Sequence, residues 1–380
     1  MNKRLQNLIK FLIVVLLAWF VWKYILSDEG GAVLTLEPTA TATATEVSSG
    51  GYYTAYFTNP PLEANHQGIE SSLLALIGGA RTSVHGAFFE LDLPELVEAL
   101  LVANSRGVEV ELVYDDDQMT DPDREGLLSR LRAAGIPMVP DERSAFMHNK
   151  FFVIDGAIVW TGSFNFTENA SHKNNENAVV FVVPQIAANY EREFSEMFAG
   201  EFGVTSPSDT PYPEVSLDGV SIHNYFAPED GVMAKVIAEV RNAESSIDFL
   251  AFSFTDVNLA YTMSELAMEE DLIVRGVFES RQSTGSSVCP YLMSRSANIP
   301  GNGVIDIRLD GNSATMHEKL IIIDSRIVIF GSFNFSGNAD ENNDENLLIV
   351  YDPVLAAEFE REFERVYSQG IVPEDGCRRP

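Results

Sequence analysis

The sequence predicts an α/β protein of two homologous lobes, each a mixed, mostly parallel β-sheet flanked by helices, with an active site at the lobe interface. Three observations carry this expectation. The pattern His-x-Lys-x-x-x-x-Asp occurs twice, at 148–155 and 317–324. Each copy runs, after six residues, into Gly-Ser-Phe-Asn-Phe, at 162–166 and 331–335. The 169-residue offset between the copies also extends beyond the motifs, relating Tyr56-Phe57 to Tyr225-Phe226, Glu176 to Glu345, Pro184 to Pro353 and Glu191–Phe194 to Glu360–Phe363. From the first histidine to that last run about half the positions are identical, so whole lobes are duplicated.

Within the first lobe the periodicity changes repeatedly between 3.6 and 2. It predicts a helix over 71–80, a strand over 83–89, a helix over 94–105 and a strand over 108–114. Two more strands, 148–154 and 157–161, are joined by the tight-turn pair Asp155-Gly156. A strand over 178–183 and a helix over 184–198 opening at Pro184 close the lobe. Strands alternating with helices imply a sheet covered on its faces. Lobe 1 is accordingly expected at 52–202, an inter-lobe linker at 203–220 and lobe 2 at 221–380.

The first 51 residues read differently. Lys3, Arg4 and Lys10 precede an apolar run from Phe11 to Trp22, and residues 8–26 as a helix would span about 28 Å, close to a bilayer core. Asp28-Glu29 follows, so the charge asymmetry puts the N-terminus in the cytoplasm and the body outside. An uncleaved anchor at 1–27 is the favoured reading; a signal peptide cut near Gly30-Gly31-Ala32 is the alternative, which would leave the body secreted. Residues 28–51, rich in Thr, Ala, Ser and Gly, read as a flexible tether spanning roughly 27 Å. It would hold the body at the cell surface or in the periplasm, near lipid headgroups.

Composition narrows the partners. The net charge is −31, from 25 Lys+Arg against 56 Asp+Glu. Nucleic acid is held through neutralised phosphates, so this balance disfavours an extended nucleic-acid surface while leaving a locally positive pocket open. Cys289 and Cys377 have no metal-ligand spacing, and read either as incidental thiols or as one disulfide of an exported domain. The acidic runs Asp115-Asp116-Asp117 and Asp121–Asp123 read as solvated loops rather than a calcium site. His66, His85, His172 and His223 have no counterpart at the repeat offset and read as structural or exposed. Phe88, Phe89, Phe252 and Phe254 read as core strand residues, with the lining of an acyl channel as the alternative.

The doubled motif carries the chemistry. His and Lys two apart on a strand share a face, so His148 with Lys150 and His317 with Lys319 emerge together from buried strands. Ser163 with Asn165, and Ser332 with Asn334, are spaced likewise and supply neutral donors. Transfer at phosphorus needs charge stabilisation on non-bridging oxygens, an in-line nucleophile and an acid for the leaving oxygen. These groups meet all three needs without a metal or other cofactor.

The pair of His-x-Lys-x-x-x-x-Asp motifs, each with Gly-Ser-x-Asn and a downstream Glu-Asn, resembles the phospholipase D superfamily over both lobes. The resemblance implies a covalent two-step reaction: His148 as the nucleophile that forms a phosphohistidine, and His317 as the acid and then the base that activates water. It implies phosphate binding by Lys150, Lys319, Asn165 and Asn334, with Ser163 and Ser332 as weaker members. Glu176 and Glu345 correspond to carboxylates that hydrogen-bond a histidine, and Asp155 and Asp324, at strand ends, complete the motifs and are counted with the catalytic set, their expected part being to order the site. The reaction expected is metal-independent hydrolysis of a phospholipid headgroup ester by a monomer whose two halves complete one site. A nuclease of the same superfamily is the runner-up, and phosphatidyl transfer, as in cardiolipin synthesis, is the third reading.

Overall fold

The computed structural model describes residues 51–60, 68–296, 299, 301–374 and 376–379. Apart from Gly51, the expected anchor (1–27) and tether (28–51) lie outside the described residues. Among the described residues no helix is long and apolar enough to cross a membrane.

Two sheets follow the duplication. The first contains β1 (Tyr53–Phe57), β2 (Ser83–Phe88), β3 (Glu109–Tyr114), β4 (Met138–Pro140), β5 (Lys150–Ile154), β6 (Ile158–Gly162) and β7 (Asn177–Phe181), in the order β1-β7-β6-β5-β2-β3-β4. The second contains β8 (Glu214–Leu217), β9 (Val220–Ala227), β10 (Ser246–Ala251), β11 (Ile273–Phe278), β12 (Val304–Leu309), β13 (Lys319–Ile323), β14 (Ile327–Gly331) and β15 (Glu345–Tyr351), in the order β12-β11-β10-β13-β14-β15-β9-β8. Strand for strand the orders coincide, with β8 as an extra edge of the second sheet.

Both sheets are mixed and flanked by helices, but the expectation of mostly parallel pairing needs correction. In each sheet only two pairings are parallel, β2/β3 and β3/β4 in the first and β10/β11 and β11/β12 in the second. The others are antiparallel. The reason is connection length: a parallel pair needs a crossover of a dozen or more residues, and only three residues join β5 to β6. The segment expected as linker, 203–220, is likewise not all connector, because Glu214–Leu217 pairs with β9. The segment 115–143 contains a helix, Pro122–Ala133, whose start is capped by the Asp121 carboxylate accepting from the Asp123 N–H.

The largest shared core lies between the sheets. The closing helices Pro184–Phe198 and Pro353–Gln369 contribute Tyr190, Phe194, Phe359 and Phe363 to it, against Phe151 and Val153 of one sheet and Leu320 and Ile322 of the other. Each sheet buries its opposite face under its own outer helices. Cys289 and Cys377 form a disulfide, which ties the chain's last described turn to the helix Cys289–Ser296.

Asp155 and Asp324 serve the fold. Asp155 accepts from the backbone N–H groups of Arg81 (2.9 Å), Thr82 (2.7 Å) and Ser83 (3.1 Å). Asp324 accepts from those of Glu244 (2.9 Å), Ser245 (2.7 Å) and Ser246 (3.0 Å). Burial works against their charge, but the backbone donors outweigh it and hold both carboxyls below the usual carboxylate value.

The glycine of each Gly-Ser-Phe-Asn motif also has a structural cause. Gly162 and Gly331 have φ of 159° and 153°, and a Cβ at either would collide with the carbonyl of Asn177 or Asn346 on the neighbouring strand. We expect Gly162→Ala to cost about 1–3 kcal/mol, read as a lowered midpoint of denaturant unfolding.

Candidate active site

The duplicated motifs meet where the lobes cross. A parallel bridge pairs Met147 with Asp344, and another pairs Asn175 with Met316. Through them the His148 N–H donates to the Asp344 carbonyl (2.9 Å) and the His317 N–H to the Asn175 carbonyl (3.0 Å). Each histidine is thus held by the backbone of the other lobe, immediately before its strand begins at Lys150 or Lys319.

The side chains cross in the same way. His148 Nδ1 lies 2.7 Å from Glu345 Oε2, and His317 Nδ1 lies 2.9 Å from Glu176 Oε2. The carboxylates are fixed from their own lobes. Ser332 Oγ donates to Glu345 (2.8 Å) and Asn343 Nδ2 donates to its other oxygen (3.1 Å). Ser163 Oγ donates to Glu176 (2.7 Å) and Asn174 Nδ2 to its other oxygen (3.2 Å). Burial opposes the charge of Glu345, but the His148 ring, Lys150 and Ser332 together hold its carboxyl below the usual value. An ionised Glu345 accepts a hydrogen bond from Nδ1–H and leaves the lone pair of His148 on Nε2. The hydrogen-bond pattern at Glu176 and His317 is the same.

Electrostatics around the histidines are dominated by burial. Both rings are nearly inaccessible, and burial drives His148 down to about 4 and His317 down as well, against the pull of their glutamates. Lys150 falls to about 8 and Lys319 to about 7 for the same reason, with the carboxylates opposing the drop. Each Nζ donates to the carbonyl of its own histidine, at 2.7 Å for Lys150 and 2.5 Å for Lys319. It lies over a phenylalanine ring, 5.1 Å from the Phe89 centroid or 4.9 Å from that of Phe252. The same rings meet His148 and His317 edge to face, both at 4.7 Å.

A cavity of about 560 Å³ opens onto this arrangement. Its wall includes His148, His317, Asn165, Asn334, Phe89 and Phe252. The amide oxygens of Asn165 and Asn334 are buried without a partner, and Asn165 Nδ2 donates to Glu90 Oε2 (2.9 Å).

The structure therefore gathers His148, His317, Asn165 and Asn334 at one cavity, with Lys150 and Lys319 buried behind it. It sorts the remaining candidates differently. Ser163 and Ser332 are fully buried and bonded to the glutamates, so they hold carboxylates rather than face a phosphate. Asp155 and Asp324 stand at the far ends of β5 and β13, about 20 Å from the histidines by strand rise. Counting them as catalytic does not survive this placement. Asp115 is buried, accepts from the N–H groups of Gln118 and Met147, and is pushed up to about 6 by burial; it is not a solvated loop residue. Asn174 and Asn343 escaped the sequence reading, although they too are 169 positions apart. Phe89 and Phe252, expected in the core with a channel lining as the alternative, line the cavity and contact the histidine–lysine pairs.

Fold and site together define a pseudo-twofold α/β protein whose two lobes share one composite His/Lys/Asn/Glu centre. Residues 73–198 and 236–367 match the family model described as cardiolipin synthase, PLD-like domain. The chain belongs to this phospholipase D-like family. It is 36% identical over 128 residues to the mitochondrial cardiolipin hydrolase of Xenopus laevis, an overlap of 34% of this chain and 60% of that protein. It is 27% identical over 158 residues to a phospholipase D of Rickettsia prowazekii, covering 42% and 73%. The crystal structure of phosphatidylserine synthase from Haemophilus influenzae superposes with a TM-score of 0.61 at 15% identity, over 85% of this chain and 88% of that one; it shares the fold.

Two substitutions separate chemistry from scaffolding. Glu345→Gln keeps the shape but loses the charge that fixes the His148 tautomer, and should lower kcat on a chromogenic phosphodiester by about 10- to 100-fold or more. Asp155→Asn should lower Tm by about 4–8 °C or less while leaving kcat of the folded protein unchanged.

Proposed function

We propose that the protein is a metal-independent phosphodiesterase of the phospholipase D type that hydrolyses a phospholipid headgroup ester. The observation that carries this reading is the crossed pair of histidine–carboxylate contacts, His148 with Glu345 and His317 with Glu176, at one cavity wall. His148 Nε2 attacks phosphorus and the P–O bond to the headgroup alcohol breaks. His317 Nε2, protonated, delivers its proton to that leaving oxygen. The phosphohistidine is then opened by water, from which His317 takes a proton, and phosphatidic acid leaves. Buried Lys150 and Lys319 supply positive charge that low dielectric makes effective on the developing oxyanions. Asn165 and Asn334 bind the non-bridging oxygens. The duplication is symmetric, and the order of the two histidines follows the superfamily resemblance. By sequence, residues 1–27 anchor the monomeric body outside the cytoplasm, and the Cys289–Cys377 disulfide fits an oxidising compartment.

Headgroup release from phospholipid vesicles in EDTA tests the activity; cleavage of DNA with no release of headgroup would replace this reading by the nuclease. His148→Asn should abolish turnover. His317→Asn should slow hydrolysis of the intermediate, so that protein denatured at alkaline pH, where the P–N bond survives, retains label from a phosphorus-labelled substrate.

His317 must carry a proton and burial lowers its value, and the lysines act as cations with lowered values, so kcat/KM should fall as pH rises, first as His317 loses its proton and further through 7 to 8, where Lys319 and then Lys150 lose theirs. The nucleophile must be neutral, so an acidic limb should follow His148 near 4. A kcat/KM flat between pH 6 and 9 would contradict the role given to the lysines.

A further inference from the structure

The twofold relation between the lobes breaks at one place beside the reaction cavity. The loop after β3 and the loop after β11 are equivalent by their hydrogen bonds. The Asp141 N–H donates to the Tyr114 carbonyl as the Asp310 N–H does to that of Phe278. The Gln118 N–H donates to the Asp115 carboxylate (3.1 Å) as the Gln282 N–H does to that of Glu279 (2.9 Å). This register sets Asp116-Asp117 of lobe 1 against Ser280-Arg281 of lobe 2, and the repeat offset sets Glu142 against Gly311. An acidic rim on one lobe has become a basic one on the other.

The C-terminal tail adds to the basic rim. Arg378 and Arg379 directly follow Cys377, which is disulfide-bonded to Cys289. Arg379 Nη2 donates to the Asp310 carbonyl (2.7 Å), so the tail is fastened across the loops of lobe 2. Together Arg281, Arg378, Arg379, Ser280, Thr284 and Ser313 line a concavity of about 290 Å³. The carboxylates that accompany the arginines lie underneath. Glu279, bonded to Arg281 Nε (2.7 Å), and Asp310, 3.8 Å from Arg379, are each 1% exposed, whereas Arg281 and Arg379 are 60% and 42% exposed. Three arginines gathered in one concavity stand out in a chain with 25 basic and 56 acidic residues.

This concavity adjoins the reaction cavity. Arg281 Nη2 donates to Thr315 Oγ1 (2.7 Å), and Thr315 and Gln282 line the reaction cavity with His317. Thr315 precedes His317 by two residues of extended chain, so the guanidinium lies within about 10 Å of the histidine. Lobe 1 has Phe146 where lobe 2 has Thr315, and Phe146 packs its ring 5.1 Å from Phe89. Beside the matched rings Phe89 and Phe252, lobe 1 thus adds a second ring, Phe146, and Arg124 paired with Glu90 and Asp92, whereas lobe 2 adds Thr315 and Gln282 next to the arginine concavity.

We infer that the Arg281/Arg378/Arg379 concavity is an anion subsite that receives a second phosphate on the substrate, carried by the headgroup of a phospholipid. The inference rests on the proposed phosphodiesterase reading. Guanidinium forks suit phosphate oxygens, and the concavity holds one such group rather than tracking a strand. The acidic remainder of the surface repels a long polyanion, which favours a lipid over a nucleic acid.

The test compares the full-length protein on charge-matched phosphatidylcholine vesicles containing either phosphatidylglycerol or its headgroup-phosphorylated form, phosphatidylglycerol phosphate. Wild type should prefer the phosphorylated headgroup at least tenfold in kcat/KM, and Arg281→Ser/Arg378→Ser should bring the ratio near one. The exposed single variant Arg378→Ser should show an intermediate ratio and guards against misfolding. An equal rate on both lipids, a preference that survives the double substitution, or a variant effect confined to a single-stranded oligonucleotide would overturn the inference. If neither lipid is cleaved, the phospholipase reading fails by itself. The subsite is then judged by calorimetric binding of glycerol 3-phosphate, which should weaken at least tenfold in the double variant and would overturn the inference if unchanged.

Discussion

The interaction on which the rest depends is the crossed contact between each histidine and a glutamate of the opposite lobe. Neither lobe completes a histidine–glutamate pair alone: His148 takes its partner from β15 and His317 from the loop leading into β7. Burial by itself would leave the imidazoles weakly basic with no defined tautomer. A buried carboxylate, fixed by a serine and an asparagine, directs the Nδ1 proton and aims Nε2 at the cavity. The lobe interface must therefore be rigid, which explains why the principal core lies between the sheets and why two long helices close it. Backbone bridges at Met147–Asp344 and Asn175–Met316 fix the same registration at the residues next to the histidines.

The cost of this arrangement is a set of cations in a dry place. Lys150 and Lys319 are fully buried, and their proton affinity falls until they sit near neutrality. They are not bare: each is stacked on a phenylalanine and bonded to a backbone carbonyl, with Glu176 and Glu345 nearby. On the proposed reading, a phosphodiester entering the cavity would bring the missing negative charge, and substrate and site would neutralise each other. The same low dielectric that depresses the lysines strengthens their pull on a developing oxyanion.

Symmetry gives the protein its chemistry, and departures from symmetry give it direction. The catalytic pairs, the motif glycines and the two aspartates at the strand ends match closely between lobes. The cavity rims do not. Phe146 against Thr315 and Asp117 against Arg281 distinguish two sides of the cavity that the histidines, lysines and asparagines alone would leave equivalent. The disulfide matters here because it fastens two arginines of the tail to the basic side.

Much of this was legible in the sequence, for a physical reason. Duplication repeats every constraint at a fixed offset, so His148 and His317, Asn165 and Asn334, and Glu176 and Glu345 declare themselves together, and the strand and helix periods place them on alternating elements. The helix Pro184–Phe198 was readable to its ends because Pro184 marks its first turn. Other features were beyond local reading. Ser163 and Asn165 share a strand face in the pattern, yet only the neighbouring strand decides that the serine bonds Glu176 while the asparagine meets the cavity. Asp155 looks catalytic within its motif, and only the fold shows it tying down the turn at Arg81–Ser83. The sequence by itself determined the duplication, the residue types of the site and the family, because these follow from spacing along one chain. Tertiary structure alone decided that each histidine is served by the other lobe, that the lysines lie buried behind phenylalanines, and that the two rims differ in charge. Those facts depend on contacts between residues as many as 197 positions apart, such as His148 and Glu345, which no local pattern encodes.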